Sequence, residues 1–81
     1  MRYILFIREE CPFCIMAVAL LKDKKVNYSV INFEPEQAKI LEEMKKVYDW
    51  KTVPMIFLRE EDKIEFIGGH SDLKEHLNID G

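Results

Sequence analysis

Eighty-one residues carry 12 Lys and Arg against 15 Asp and Glu, a net charge of −3, and 48% of the positions are apolar. A chain of this length buries about 60% of its unfolded surface, enough for one small core and too little for two, so residues 1–81 are read as a single domain. The mixed charges form no basic stripe for nucleic acid, and the longest apolar runs fall far short of the roughly 20 residues of a membrane span.

A soluble protein, and a monomer, is expected; the first residues lack the basic, apolar and small-residue segments of a secretory signal, so the cytoplasm is its expected location. Two cysteines alone, Cys11 and Cys14, cannot form a secreted disulfide framework; their spacing points to redox or metal chemistry.

Tyr3-Ile4-Leu5-Phe6-Ile7 reads as a buried strand, Arg8-Glu9-Glu10 as a short loop, and Cys14 to Leu21 as a helix that is apolar on nearly every side. Cys11 then stands at a helix N-terminus, where unpaired amides and the positive end of the macrodipole favour a thiolate. Lys22-Asp23-Lys24-Lys25 closes that helix, and Tyr28 to Asn32 forms a second strand. The resulting βαβ unit makes the two strands parallel. It sets the loop before Cys11 at the carboxyl edge of the sheet, where open sheets bind ligands.

Pro35 suits the first turn of a second helix, whose Ile40, Leu41, Met44, Val47 and Tyr48 recur at three- and four-residue steps and should pack on the sheet. Thr52-Val53-Pro54 precedes a third strand, Met55 to Leu58. Proline is tolerated at a strand's first residue, and a cis Val53-Pro54 bond would leave Val53 backbone groups free of the sheet. Ile64 to Ile67 forms a fourth strand, antiparallel to the third across the polar connection Arg59 to Lys63, with acidic Glu60 to Asp62 as a solvated turn. Gly68-Gly69 ends the hairpin. Ser71 is expected to cap a last helix with Asp72 in its first turn and Leu73 and Leu77 on its buried side.

Cys11-Pro12-Phe13-Cys14 after the first strand, Thr52-Val53-Pro54 before the third and Gly68-Gly69-His70-Ser71-Asp72 before the last helix form an ordered set. Together they closely resemble a dithiol glutaredoxin of the thioredoxin-fold superfamily, over practically the whole chain. The resemblance implies an α/β, thioredoxin-like fold of order βαβαββα, a four-stranded mixed sheet with three helices on both faces. It implies a glutathione-dependent thiol-disulfide oxidoreductase acting on protein disulfides and glutathione mixed disulfides, with Cys11 as nucleophile and Cys14 as resolving cysteine. Glutathione is the implied reductant and co-substrate, and no metal is implied. Disulfide-bonded or glutathionylated proteins are the implied partners, ribonucleotide reductase among the candidates.

Carried over by position, Val53 would pair its backbone with the cysteinyl unit of glutathione, in the turn it shares with Thr52 and Pro54. Gly69, Ser71 and Asp72 at the start of the last helix would receive the γ-glutamyl end, where backbone amides suit a carboxylate. Arg8 and Lys51 are the candidate cations for the glycyl carboxylate. Phe13 replaces a tyrosine common at this position, keeping an apolar wall and losing a hydroxyl. Trp50 is read as a partly buried aromatic anchoring its loop.

An ordinary thiol of pKa about 8.5 is roughly 3% thiolate at pH 7, so lowering the pKa at Cys11 raises the reactive fraction many-fold. Carboxylates close to Cys11 would oppose this, and Glu9 and Glu10 are therefore expected to point into water. Four other readings compete. A thioredoxin-like carrier reduced by a flavoprotein has the same dithiol but does not account for the set of Arg8, Thr52-Val53-Pro54 and Gly68 to Asp72. A zinc site would draw on Cys11, Cys14, His70 and His76, at a spacing poor for a finger. A glutathione-bridged iron–sulfur cluster at Cys11 sits badly with Pro12, and a scaffold leaves the dithiol unexplained.

Overall fold

A computed structural model describes residues 1–77. Its elements are β1 (Arg2–Ile7), α1 (Pro12–Asp23), β2 (Tyr28–Asn32), a 3-10 turn (Pro35–Gln37), α2 (Ala38–Val47), β3 (Met55–Glu60), β4 (Lys63–Gly68) and α3 (His70–Leu77). The strands form one sheet in the order β2-β1-β3-β4. β1 runs parallel to β2, with Leu5 beside Val30, and antiparallel to β3, with Leu5 beside Ile56; β3 and β4 are antiparallel. This is the thioredoxin-like arrangement expected from the sequence.

Strand alternation divides the core in two. Tyr3 and Leu5 of β1 and Ile56 and Leu58 of β3 face Ala17 and Leu21 of α1 and Leu73 of α3. The residues between them, Ile4, Phe6, Met55 and Phe57, face the other way and pack with Phe33 and with Leu41 and Met44 of α2. β3 is therefore covered on both faces, which is why Met55 to Leu58 is a continuous apolar run without alternation. Leu5, Leu21 and Leu73 have no exposed surface, and full burial stabilises each by about 1.5–3 kcal/mol.

Both long helices stop without glycine. After α1, Lys25 takes φ 57°, its N–H donates to Lys22 O at 3.1 Å, and the Val26 N–H donates to Leu21 O at 3.4 Å. After α2, Asp49 at φ 52° repeats the pattern: its N–H donates to Lys46 O at 3.2 Å and the Trp50 N–H to Lys45 O at 2.8 Å. These paired bonds satisfy the last carbonyls and turn the chain sharply. The second of them delivers Trp50 into the core beside Phe66, with ring centroids 5.2 Å apart.

Three local expectations are corrected. Ile40 and Val47 do not join the α2 core; they are 57% and 72% exposed. Pro35 opens a 3-10 turn, held by Glu34 N–H donating to Gln37 Oε1 at 2.9 Å, and α2 starts only at Ala38, leaving Leu41 and Met44 as its inward stripe. Ser71 is not the cap of α3, because the helix already begins at His70 and Ser71 is exposed within its first turn. β3 and β4 extend through most of the segment expected to be a loop, leaving Glu61 and Asp62 as a two-residue connection between paired Glu60 and Lys63.

Candidate active site

Cys11 is the N-cap of α1, with an extended backbone at φ −110° and ψ 103° and Pro12 in the first turn, where the missing N–H costs nothing. The Cys14 N–H donates to Cys11 Sγ at 3.2 Å. The sulfur thus does what a serine or aspartate oxygen does at other helix starts, and an anionic sulfur would do it better. Cys11 and Cys14 are joined as a disulfide, with Cα atoms 5.2 Å apart. Cys11 is half-buried and Cys14 is 2% exposed, so only the first sulfur is within easy reach of a substrate.

Two distant segments meet this loop. The Val53-Pro54 bond is cis, and the Val53 carbonyl oxygen lies 3.8 Å from Cys11 Sγ. At the start of α3, the His70 ring lies beside Phe13, with centroids 6.0 Å apart. Gly69 is buried behind Pro54 and Trp50, and its N–H donates to Asp72 Oδ2 at 2.9 Å. Asp72 also explains Gly68: φ is 126° there, and a Cβ would stand 2.5 Å from Asp72 Oδ2.

A groove of about 520 Å³ opens beside Cys11, walled by Arg8, Glu9, Glu10, Pro12, Phe33, Pro35 and Val53. The structure therefore gathers Arg8, Cys11 and Val53 in one groove, and links Phe13 and Pro54 to the start of α3, where Gly69, Ser71 and Asp72 lie. Thr52 is exposed in the preceding turn. Lys51 is exposed and borders a different depression, beside Lys45, Asp49 and Trp50. Glu9 and Glu10 are exposed as expected, yet both line the groove.

Among the described residues, no three His, Cys, Asp or Glu side chains are grouped to hold a metal. His70 faces Phe13, and His76 stands edge-on to Tyr3 with ring centroids 5.9 Å apart, so the zinc set considered above does not converge. The contribution of Phe33 to the groove, and of His70 to the wall beside Phe13, was not anticipated. Phe33 directly follows β2 at the sheet's carboxyl edge, which is the signal that would have found it.

The glutaredoxin family model matches residues 3–62. Glutaredoxin 3 of Escherichia coli K12 is 38% identical over 69 residues, covering 85% of this chain and 77% of that protein. The chain belongs to the glutaredoxin family. It is a thiol-disulfide oxidoreductase by that membership, with Cys11 and Cys14 as its CxxC motif. The solution structure of a glutaredoxin from Brucella melitensis superposes with a TM-score of 0.73 at 28% identity, over 99% of this chain and 82% of that one. A buckwheat glutaredoxin–glutathione complex shares the fold, with a TM-score of 0.78 at 20% identity over 94% of this chain and 68% of that one.

Proposed function

We propose that this glutaredoxin reduces protein disulfides and glutathione mixed disulfides, with glutathione as its reductant, Cys11 as nucleophile and Cys14 as resolving thiol. The observation that carries the reading is the position of Cys11 Sγ, capped by an α1 amide and 3.8 Å from the Val53 carbonyl in an open groove. The family's use of glutathione and the buckwheat complex support the choice of reductant.

The Cys11 thiolate attacks one sulfur of the substrate disulfide, forming a mixed disulfide and expelling the other sulfur as a thiolate that takes a proton from water. The Cys14 thiolate then attacks Cys11 Sγ, releases the second substrate thiolate and leaves the Cys11–Cys14 disulfide. Two electrons have passed to the substrate. A first glutathione thiolate opens that disulfide at Cys11, freeing Cys14, and a second displaces Cys11 and departs as glutathione disulfide. With a glutathionylated protein, Cys11 takes the glutathione directly and one further glutathione completes the cycle.

In this reading the glutathione backbone pairs with Val53, its γ-glutamyl carboxylate meets the amides at Ser71 and Asp72, and Arg8 neutralises the glycyl carboxylate, with Lys51 as a more distant cation. Thr52 and Pro54 hold Val53 outward, Gly69 sets the start of α3, and Phe13 forms an apolar wall. The test is turnover of a glutathione mixed disulfide coupled to glutathione reductase. Turnover lost in Cys11→Ser supports the assignment; efficient reduction by a thioredoxin reductase with none by glutathione would replace it with the thioredoxin-like reading.

A further inference from the structure

The Arg8-to-Cys11 segment borders a second cavity, of about 440 Å³, that shares no other wall with the Val53 groove. Its remaining walls are largely apolar, Ile7 from β1 and Cys14, Ile15, Val18 and Ala19 from α1, with Lys22 and Asn32 completing them. Both cysteines therefore border a cavity whose walls beyond the shared Arg8-to-Cys11 segment carry no assigned glutathione contact.

α1 is more apolar than its burial requires. Pro12 to Leu21 contains no charged residue, although only Cys14, Ala17 and Leu21 are buried. A helix lying on a sheet ordinarily turns a polar face to water. Here Phe13, Ile15 and Met16, within two turns of Cys11, are 57%, 68% and 47% exposed, and Ala19 just beyond them is exposed too. A single exposed apolar side chain needs no explanation, but a cluster around a reactive sulfur, with a cavity beneath it, marks a contact surface.

Resting on Cys11 as the nucleophile, we infer that this cavity is a specificity subsite for polypeptide disulfides, taking an apolar side chain that flanks the reacting cysteine of the substrate. When Cys11 forms a mixed disulfide with a polypeptide, the residues flanking the bonded cysteine can carry apolar side chains, whereas the γ-glutamyl and glycyl units that flank the cysteine of glutathione carry none. In an extended segment the flanking residues lie about 3.5–7 Å along the chain. Ile15 and Ala19 lie four and eight residues beyond Cys11, about 6 and 12 Å of helix rise, so the cavity begins where a flanking side chain falls. Its volume is within the roughly 300–1,000 Å³ range of pockets that enclose ligands. The continuity of the cavity with both cysteines is what assigns it to the disulfide substrate and not to an unrelated partner.

The test uses two short single-cysteine peptides, each supplied as its symmetric disulfide and differing only in Leu or Ser on both sides of the cysteine. Reduction is followed with glutathione and glutathione reductase, with bis(2-hydroxyethyl) disulfide as a substrate lacking any flank. The Leu peptide should show a kcat/KM about tenfold above the Ser peptide. Ile15→Gln and, independently, Ala19→Gln should erase that ratio and leave turnover of the small disulfide unchanged. Equal kcat/KM for the two peptides, or equal losses on all three substrates in both variants, would overturn the inference while leaving the proposed function standing. Sedimentation of the wild-type protein as a dimer that Ile15→Gln makes monomeric would overturn it too, by giving the cavity to a second copy. No turnover of the small disulfide by wild-type protein would overturn the proposed function and this inference together.

Discussion

The backbone N–H of Cys14 donates to Cys11 Sγ at 3.2 Å, so the two residues of the dithiol are unequal partners before any substrate arrives. One sulfur caps α1 at a half-buried position, while Cys14 is 2% exposed. An anion at a helix start gains typically about 0.3–1 kcal/mol from the dipole, and the amide bond adds to it.

Cys11→Ser is therefore expected to abolish reduction of every disulfide. Cys14→Ser should keep turnover of glutathione mixed disulfides, which need one thiol, and lose most reduction of protein disulfides, which need two. Steady-state rates for both variants on both substrate types check this.

Asp72 holds the start of α3 by accepting from the Gly69 N–H at 2.9 Å. Asp72→Ala should cost about 0.5–2 kcal/mol of stability, as the loss of a helix-start hydrogen bond does. Its KM for glutathione should rise more than kcat falls, because the affected amides lie at the ligand's proposed γ-glutamyl end. Gly68→Ala should cost more than Asp72→Ala, since it combines a positive φ with a Cβ driven into that carboxylate. Thermal melts and glutathione titrations of the two variants provide the comparison.

Sequence and structure agree best where local chemistry and periodicity coincide. Tyr28 to Asn32 is β2 at both ends, the apolar run Met55 to Leu58 is the doubly covered strand, and Cys11 stands at the N-terminus of α1. Agreement fails where a tertiary choice intervenes. Ile40 and Val47 have the spacing of core residues, but the 3-10 turn at Pro35–Gln37 fixes where α2 begins and so which face it lays on Phe57. Ser71 has the chemistry of a cap, yet Asp72 reaches back to Gly69 and starts the helix earlier. The 3.8 Å approach of Val53 to Cys11 joins residues 42 positions apart, and no local pattern encodes it.

The Tyr3 hydroxyl has its pKa raised above the ordinary 10.0, first by burial and then by the carboxylates of Glu60 and Glu65. Above pH 10 the unfolded chain loses this proton while the folded chain keeps it, so the folded state binds more protons there. Stability conferred by Tyr3 is thus constant below the unfolded pKa and falls as pH rises from 10.0 toward the folded value. Tyr3→Phe should remove this part of the alkaline loss. Melting temperatures of the two proteins at about pH 9 and about pH 11 should differ more at the higher pH if the wild type alone is losing stability there through this group.

Trp50 packs against Phe66, yet its indole N–H is buried without a hydrogen-bond partner among the described residues. An unpaired buried donor costs about 1–3 kcal/mol, which offsets part of what the large ring gains by burial. Trp50→Phe removes the unpaired donor together with part of the ring, two opposing effects, so it should cost clearly less than Trp50→Ala, which loses about 3–5 kcal/mol. Urea denaturation followed by circular dichroism separates the two outcomes.

The central claim is that glutathione, bonded to Cys11, lies along Val53 and reaches the start of α3. Backbone NMR of the Cys14→Ser protein, before and after conversion to its Cys11–glutathione mixed disulfide, tests it most directly. The account predicts one glutathione per chain, attached at Cys11, with the largest distant amide shifts at Val53, Ser71 and Asp72. A stable adduct whose distant shifts fall instead on Ile15, Val18 and Ala19, with Val53 and the start of α3 unmoved, would contradict it.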